Sequence, residues 1–214
     1  MGFLSHFKPT APEGTDGHTT YESFLFQKPQ DYIDKLSRDY HINTLQYYDW
    51  QYRHEQPVAT GDLENEWPLW YRNNYASKKT ITDYIKDAKN ANMGSLAYSM
   101  AYAANDNYDT NTIKDDWRLR EDNGSYWVRD LGEQWWVPTP QGVDKPKSHQ
   151  FMMNVNNEEW RTYITGQYAK QKTAFAFDGT HIDTLGQTSK KDAAGNPVDP
   201  VSYTHLTLPT ILLV

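Results

Sequence analysis

The sequence predicts an α/β fold, a partial (β/α)8 barrel that covers roughly the first half and is truncated at its C-terminal side. Three observations lead there. Short apolar runs alternate with segments of helical period, which is how repeated βα units read and which implies a parallel sheet. The runs start apolar and end polar and aromatic, as in a barrel whose chemistry sits at the C-terminal strand ends. Four or five such units fit in the 214 residues, whereas a closed barrel needs eight and typically ~250 residues. A doubly wound open sheet is the alternative, but no Gly-x-Gly-x-x-Gly turn follows any strand.

Taken in order, Gly2-Phe3-Leu4-Ser5-His6-Phe7 is a short strand, followed by a Pro/Gly/Thr loop to about Thr20. The next segment is helical. Pro29 suits a first turn, where its missing N–H is not needed, and Ile33, Leu36 and Tyr40 share one face. Ile42 to Trp50 reads as a second strand, rich in aromatic and apolar residues. Residues 56–76 form a long aromatic loop, of the kind that in compact domains is more often functional than idle. A helix at about 79–92 sets Ile81, Ile85 and Ala88 on one face, with Thr80 as its cap.

Gly94 to Ala103 is the third strand, and 105–147 is long, polar and Trp-rich. Trp117, Trp127, Trp135 and Trp136 in that region suit stacking on sugar rings or packing under a long loop. A Phe151-Met152-Met153 strand, whose methionines are read as core filling, leads to a helix near 157–171. There Asn157 caps, Glu158 and Glu159 favour the positive helix start, and Trp160 and Ile164 face the sheet. Ala174 to Asp183 closes the series, apolar at its start and acidic at its finish.

Composition narrows the function. Only 37% of residues are hydrophobic, but eight Trp, sixteen Tyr and seven Phe bury ~150–250 Å² each, so a core is expected rather than disorder. The net charge of −7 is wrong for a phosphate-binding surface, and nucleic acid is not expected as a partner. The absence of cysteine excludes disulfides, thiolate zinc sites and thiol nucleophiles. The seven histidines show no metal-ligand spacing, so neither a metal nor a cofactor is expected. No Gly-x-Ser-x-Gly elbow or phosphate-cradling Gly-Lys-Ser/Thr loop supports a serine hydrolase or a nucleotidase. Met1 to Thr10 lacks a signal-peptide pattern, and no apolar span of ~20 residues calls for membrane insertion; if the parent is secreted, its signal lies upstream.

The strongest local signal is Phe177-Asp178-Gly179-Thr180-His181-Ile182-Asp183. With period-two alternation Gly179, His181 and Asp183 share a face, so a carboxylate and an imidazole project together. A glycosidase needs one carboxylate at the anomeric carbon and a second carboxylic acid to protonate the leaving oxygen. The bland alternative is that Asp178 or Asp183 caps the next turn. Gln46-Tyr47-Tyr48-Asp49-Trp50-Gln51-Tyr52-Arg53-His54 mixes hydrogen-bonding groups with rings, which suits sugars, whose hydroxyl groups surround an apolar C–H face. Core aromatics are the alternative there.

Four blocks carry a resemblance: Gly2 to Phe7; Tyr40-His41-Ile42-Asn43 with Gln46 to Trp50 and Arg53-His54; Ala97-Tyr98-Ser99-Met100 with Tyr102-Ala103; and Phe177 to Asp183. From about residue 2 to 195 the chain resembles glycoside hydrolase family sixty-six, which contains endo-dextranases and cycloisomaltooligosaccharide glucanotransferases. The resemblance implies a (β/α)8 catalytic barrel, a retaining mechanism and an α-1,6-glucan partner (dextran, isomaltooligosaccharides). It makes Asp183 the nucleophile, and Asp49, Trp50, Arg53, His54, Tyr98, Tyr102, Asp178 and His181 the substrate-binding residues. The acid/base Glu of the family belongs to a later strand with no counterpart here, and the family's usual N-terminal β-sandwich is also absent.

On this reading, residues 1–200 are the N-terminal half of a catalytic domain, inactive alone. The parent is an endo-acting dextranase, monomeric, bacterial, and extracellular or cell-surface. A glucanotransferase and a non-catalytic glucan-binding module are the alternatives. Residues 201–214, Val201-Ser202-Tyr203-Thr204-His205-Leu206-Thr207-Leu208-Pro209-Thr210 onward, resemble a translated sequencing-adaptor end and are set apart as non-native.

Overall fold

The computed structural model describes residues 1–4, 7, 29–69, 75–105, 108–130, 149–183 and 190–198. In chain order the regular elements are β1 (Gly2–Leu4), α1 (Pro29–Arg38), β2 (Thr44–Tyr47), β3 (Glu66–Pro68), β4 (Tyr75–Ser77), α2 (Lys78–Asn90), β5 (Gly94–Ser99), β6 (Ala103–Asn105), β7 (Val128–Asp130), β8 (His149–Met152), α3 (Glu158–Phe175), β9 (Gly179–Ile182), β10 (Lys190–Lys191) and β11 (Pro197–Val198). The tail from Val201, Trp135 and Trp136 lie outside the described residues.

A four-stranded parallel sheet, ordered β1-β2-β5-β9, organises the fold. A helix stands between each strand and the next, so the chain lays every new strand beside the previous one, as βαβ units do. Leu45 and Tyr47 of β2 and Ala97 of β5 turn to the helices, where they bury with Ile33 of α1 and Ile81, Ile85 and Ala88 of α2. Thr180 of β9 also points that way, accepting from Gln171 Nε2 of α3 at 2.6 Å. Period-two alternation then sends Gln46 and Tyr48, Leu96 and Tyr98, and Gly179, His181 and Asp183 to the opposite face.

α3 is held at both ends. The Asn157 side chain accepts from the backbone N–H of Glu159 and Trp160 at 3.0 and 3.1 Å, an N-cap that satisfies two orphan donors. At the other end Ala176 adopts a left-handed conformation, φ 57°, where a glycine is the usual residue.

Several expectations need correction. The Phe151–Met153 run is not a parallel strand: β8 pairs antiparallel with β6 and β7 in a separate three-stranded sheet inserted after β5. The third strand stops at Ser99 rather than Ala103, because the chain turns at Ala101 and Tyr102 before β6. The 56–76 loop contains an antiparallel pair, β3 with β4. Tyr40 lies beyond the end of α1 and is 61% exposed. The cap position of α2 is Ser77, not Thr80, and Ser77 makes no side-chain capping bond. α3 continues to Phe175, so β9 begins only at Gly179.

The three-stranded sheet has a core of its own. Met152, Met153, Trp117 and Trp160 are buried there with Tyr98 and Tyr102. Arg118 is sandwiched at its edge, its guanidinium 3.2 Å from the centroid of the Tyr126 ring and 4.0 Å from that of Phe151. Trp117 is therefore a core residue, its Nε1 donating to Glu159 at 3.0 Å.

Candidate active site

At the C-terminal edge of the parallel sheet, β5 and β9 bring an aromatic hydroxyl against a carboxylate. Tyr98 Oη donates to Asp183 Oδ2 at 2.8 Å, and the Asp183 N–H donates to the Ser99 carbonyl at 2.9 Å. Asp183 is thus fixed through its backbone by one strand and through its carboxylate by a side chain of that strand. Burial, and then the bond to Asp183, push the Tyr98 phenol well above its ordinary pKa, so it stays a proton donor across the neutral range. The Tyr48 ring meets Tyr98 edge-on, with centroids 4.4 Å apart. His181 lies on the same face, its ring 6.3 Å from that of Tyr98. Asp183 and His181 are half-buried and Tyr48 is 37% exposed, so the group is accessible.

The other expected site residues are elsewhere. Asp178 stands at the opposite end of β9: its N–H donates to the Ser95 carbonyl and its Oδ2 accepts from the Ser95 N–H. It secures the start of the strand and does not face Asp183. Trp50 has no exposed surface; its indole packs against Phe175 and Phe177 and donates to the Tyr98 carbonyl at 3.0 Å. It is a core residue under the site. Asp49, at the C-terminal end of β2, is buried with a left-handed backbone, φ 57°. Tyr102 is buried in the second core, its carbonyl accepting from the Met153 N–H at 2.8 Å.

His54 is buried between the loop after β2 and the three-stranded sheet. Its ring nitrogens lie 3.2 Å from Gln51 Nε2 and 3.1 Å from Gln150 Nε2, and its N–H donates to Asn105 Oδ1 at 2.7 Å. Burial, helped by the neighbouring Arg53 guanidinium, lowers its pKa to about 3, so it is a neutral clamp. Arg53 pairs with Glu55, whose Oε2 accepts from the Asn105 N–H at 2.9 Å. Among the described residues no group of three or more acidic or histidine side chains could hold a metal, and no helix is long and apolar enough to cross a membrane.

Tyr48 belongs to the Gln46–His54 block but not to the substrate-binding residues that the resemblance implies. Period-two alternation from Gln46 would have placed it on the face opposite Leu45 and Tyr47, beside Tyr98.

Residues 15–207 match the model of glycosyl hydrolase family 66. The chain belongs to that family. The match ends inside the tail that the sequence reading set apart. Among family 66 relatives, a cycloisomaltooligosaccharide glucanotransferase of Niallia circulans is 30% identical over 203 residues, or 92% of this chain and 18% of that protein. A crystal structure of the Paenibacillus sp. cycloisomaltooligosaccharide glucanotransferase, complexed with cycloisomaltoheptaose, is similar at 26% identity and a TM-score of 0.70, covering 94% of this chain and 26% of that one. The chain therefore spans about a fifth to a quarter of the length of these family 66 proteins. An α-N-acetylgalactosaminidase of Bifidobacterium bifidum, at 9% identity and a TM-score of 0.55, shares the fold alone.

Proposed function

We propose that the chain is the N-terminal half of the (β/α)8 catalytic barrel of a retaining enzyme that cleaves α-1,6-glucosidic bonds, with Asp183 as its nucleophile. The observation that carries this reading is the Tyr98–Asp183 pair, 2.8 Å apart on the accessible face at the C-terminal ends of parallel strands, where barrel enzymes keep their chemistry. In the first step an Asp183 oxygen attacks the anomeric carbon while the glycosidic C–O bond breaks, and a second carboxylic acid gives its proton to the leaving oxygen. That acid belongs to a later strand outside this chain. In the second step an acceptor hydroxyl attacks the same carbon, its proton goes to the waiting carboxylate, and Asp183 is released.

The acceptor distinguishes two activities. Water gives hydrolysis, as in an endo-dextranase; a hydroxyl at the far end of the same glucan gives a ring. The sequence alone favoured hydrolysis. The two family 66 relatives reported above are glucanotransferases named for cyclic isomaltooligosaccharides, which favours ring closure. A polymer too large to cross a membrane calls for a secreted or surface-held parent, with residues 1–200 as its barrel portion.

The test uses the longer enzyme containing this segment. Asp183→Asn should abolish formation of the glycosyl-enzyme while leaving dextran binding in place. A variant that still turns over, or a first product of inverted configuration, would sink the proposal. Chromatography of the wild-type products separates the two activities, since cyclic products have no reducing end.

A further inference from the structure

One concavity has a lining that includes none of Tyr48, Tyr98, His181 and Asp183. Tyr52, Arg53, Glu55 and Gln56 of the loop after β2 form one wall, and Tyr163, Gln167 and Lys170 of α3 form the other, enclosing about 410 Å³ with Asp109 at one end. That volume falls in the ~300–1,000 Å³ range of small-molecule sites. A shallower groove of about 430 Å³ continues from it along α3, past Val58 and Thr173, and shares Gln56, Gln167 and Lys170 with it.

Its chemistry points to one ligand class. Arg53 and Lys170 are matched by Glu55 and Asp109, so the lining carries no net charge and favours neither an anion nor a cation. Two tyrosine rings supply apolar faces. Gln167 is only 7% exposed, yet its amide makes no hydrogen bond to any described residue. That amide lines the cleft and offers one acceptor and an NH2 donor side by side to a pair of ligand hydroxyl groups. Rings flanking a free amide in a neutral cleft match a hexose, with its C–H face and adjacent hydroxyl groups.

We propose that this cleft is a second carbohydrate-binding site, which holds a short stretch of neutral glucan and shares no lining residue with the Tyr98–Asp183 group. Its preference for α-1,6 linkages rests on the function proposed above; its preference for sugar does not. The groove along α3 would let a longer chain continue in one direction, so affinity should rise with oligosaccharide length.

The 214-residue chain is titrated calorimetrically with isomaltoheptaose and, separately, with maltoheptaose, as wild type and as Gln167→Leu, Tyr163→Ala and Tyr48→Ala. Gln167→Leu keeps the volume and removes the hydrogen-bonding groups, so its melting temperature should hold while its affinity falls about tenfold. Tyr163→Ala should weaken binding similarly, and Tyr48→Ala, on the catalytic face, should leave a cleft-dependent binding event. Binding of neither sugar, or binding unchanged in both cleft variants, would overturn the inference. Cleft-dependent binding of maltoheptaose but not isomaltoheptaose would uphold the site and count against the α-1,6 specificity.

Discussion

Tyr98 is more than a lining residue, because it donates to the carboxylate proposed to attack. A hydrogen bond to a charged group is worth roughly 1.5–3 kcal/mol, so Tyr98→Phe in the longer enzyme should lower kcat about 10- to 100-fold with little change in KM. A raised KM at constant kcat would instead make Tyr98 a sugar contact. His54 leads to a stability prediction. Its pKa falls from an ordinary value of 6.5 to about 3 on folding, so below pH 6.5 the unfolded chain takes up a proton that the folded chain refuses. Its stabilising contribution is present above pH 6.5 and is lost as pH falls toward 3, at up to about 1.4 kcal/mol per pH unit. Denaturant unfolding at a series of pH values should show that slope, and His54→Gln should flatten it. The charged groups beside the ring, Arg53 and Glu55, are paired with each other, while Gln51, Asn105 and Gln150 do not titrate.

The same residues show where sequence reading reached its limit. Period two placed His181 and Asp183 on one face correctly. For Asp178 the resemblance implies a substrate contact, whereas α3 runs on to Phe175 and leaves Asp178 at the strand's entrance, bonded to Ser95. Trp50 and His54 read as sugar-facing because rings beside polar groups look alike in a cleft and in a core; only the packing of Phe175, Phe177 and Gln150 around them decides.

Among the elements, α2 was legible because Ile81, Ile85 and Ala88 repeat at helical spacing and all three are buried. β8 was not. A three-residue apolar run, Phe151-Met152-Met153, carries no information on direction, and the partners of β8, β6 and β7, lie far from it in sequence. The ends of α3 make two opposed predictions. Asn157→Ala removes the acceptor for two backbone donors and should destabilise by about 1 kcal/mol. Ala176→Gly relieves a left-handed alanine and should stabilise by about 0.5–1 kcal/mol, the relief being partly offset by the greater freedom of glycine when unfolded. Both are read from denaturation midpoints; a stabilising Asn157→Ala would contradict the cap.

At the scale of the whole molecule, the proposal that the chain is half a barrel predicts binding without turnover. Retaining cleavage needs two carboxyl groups in distinct roles, and the proposed function assigns this chain the first alone, as Asp183. Residues 1–200 should therefore release no reducing sugar from dextran beside an active full-length family 66 enzyme. Sustained release abolished by Asp183→Asn would mean that an acid within the chain completes the pair. The strand order has a consequence for how such a protein is made. Because β1, β2, β5 and β9 lie side by side in the order of synthesis, each unit can dock on a neighbour that has already left the ribosome. The longest wait falls between β5 and β9, while the three-stranded sheet and α3 emerge. A pause in translation there would leave β5 as a bare edge, open to pairing with another nascent chain.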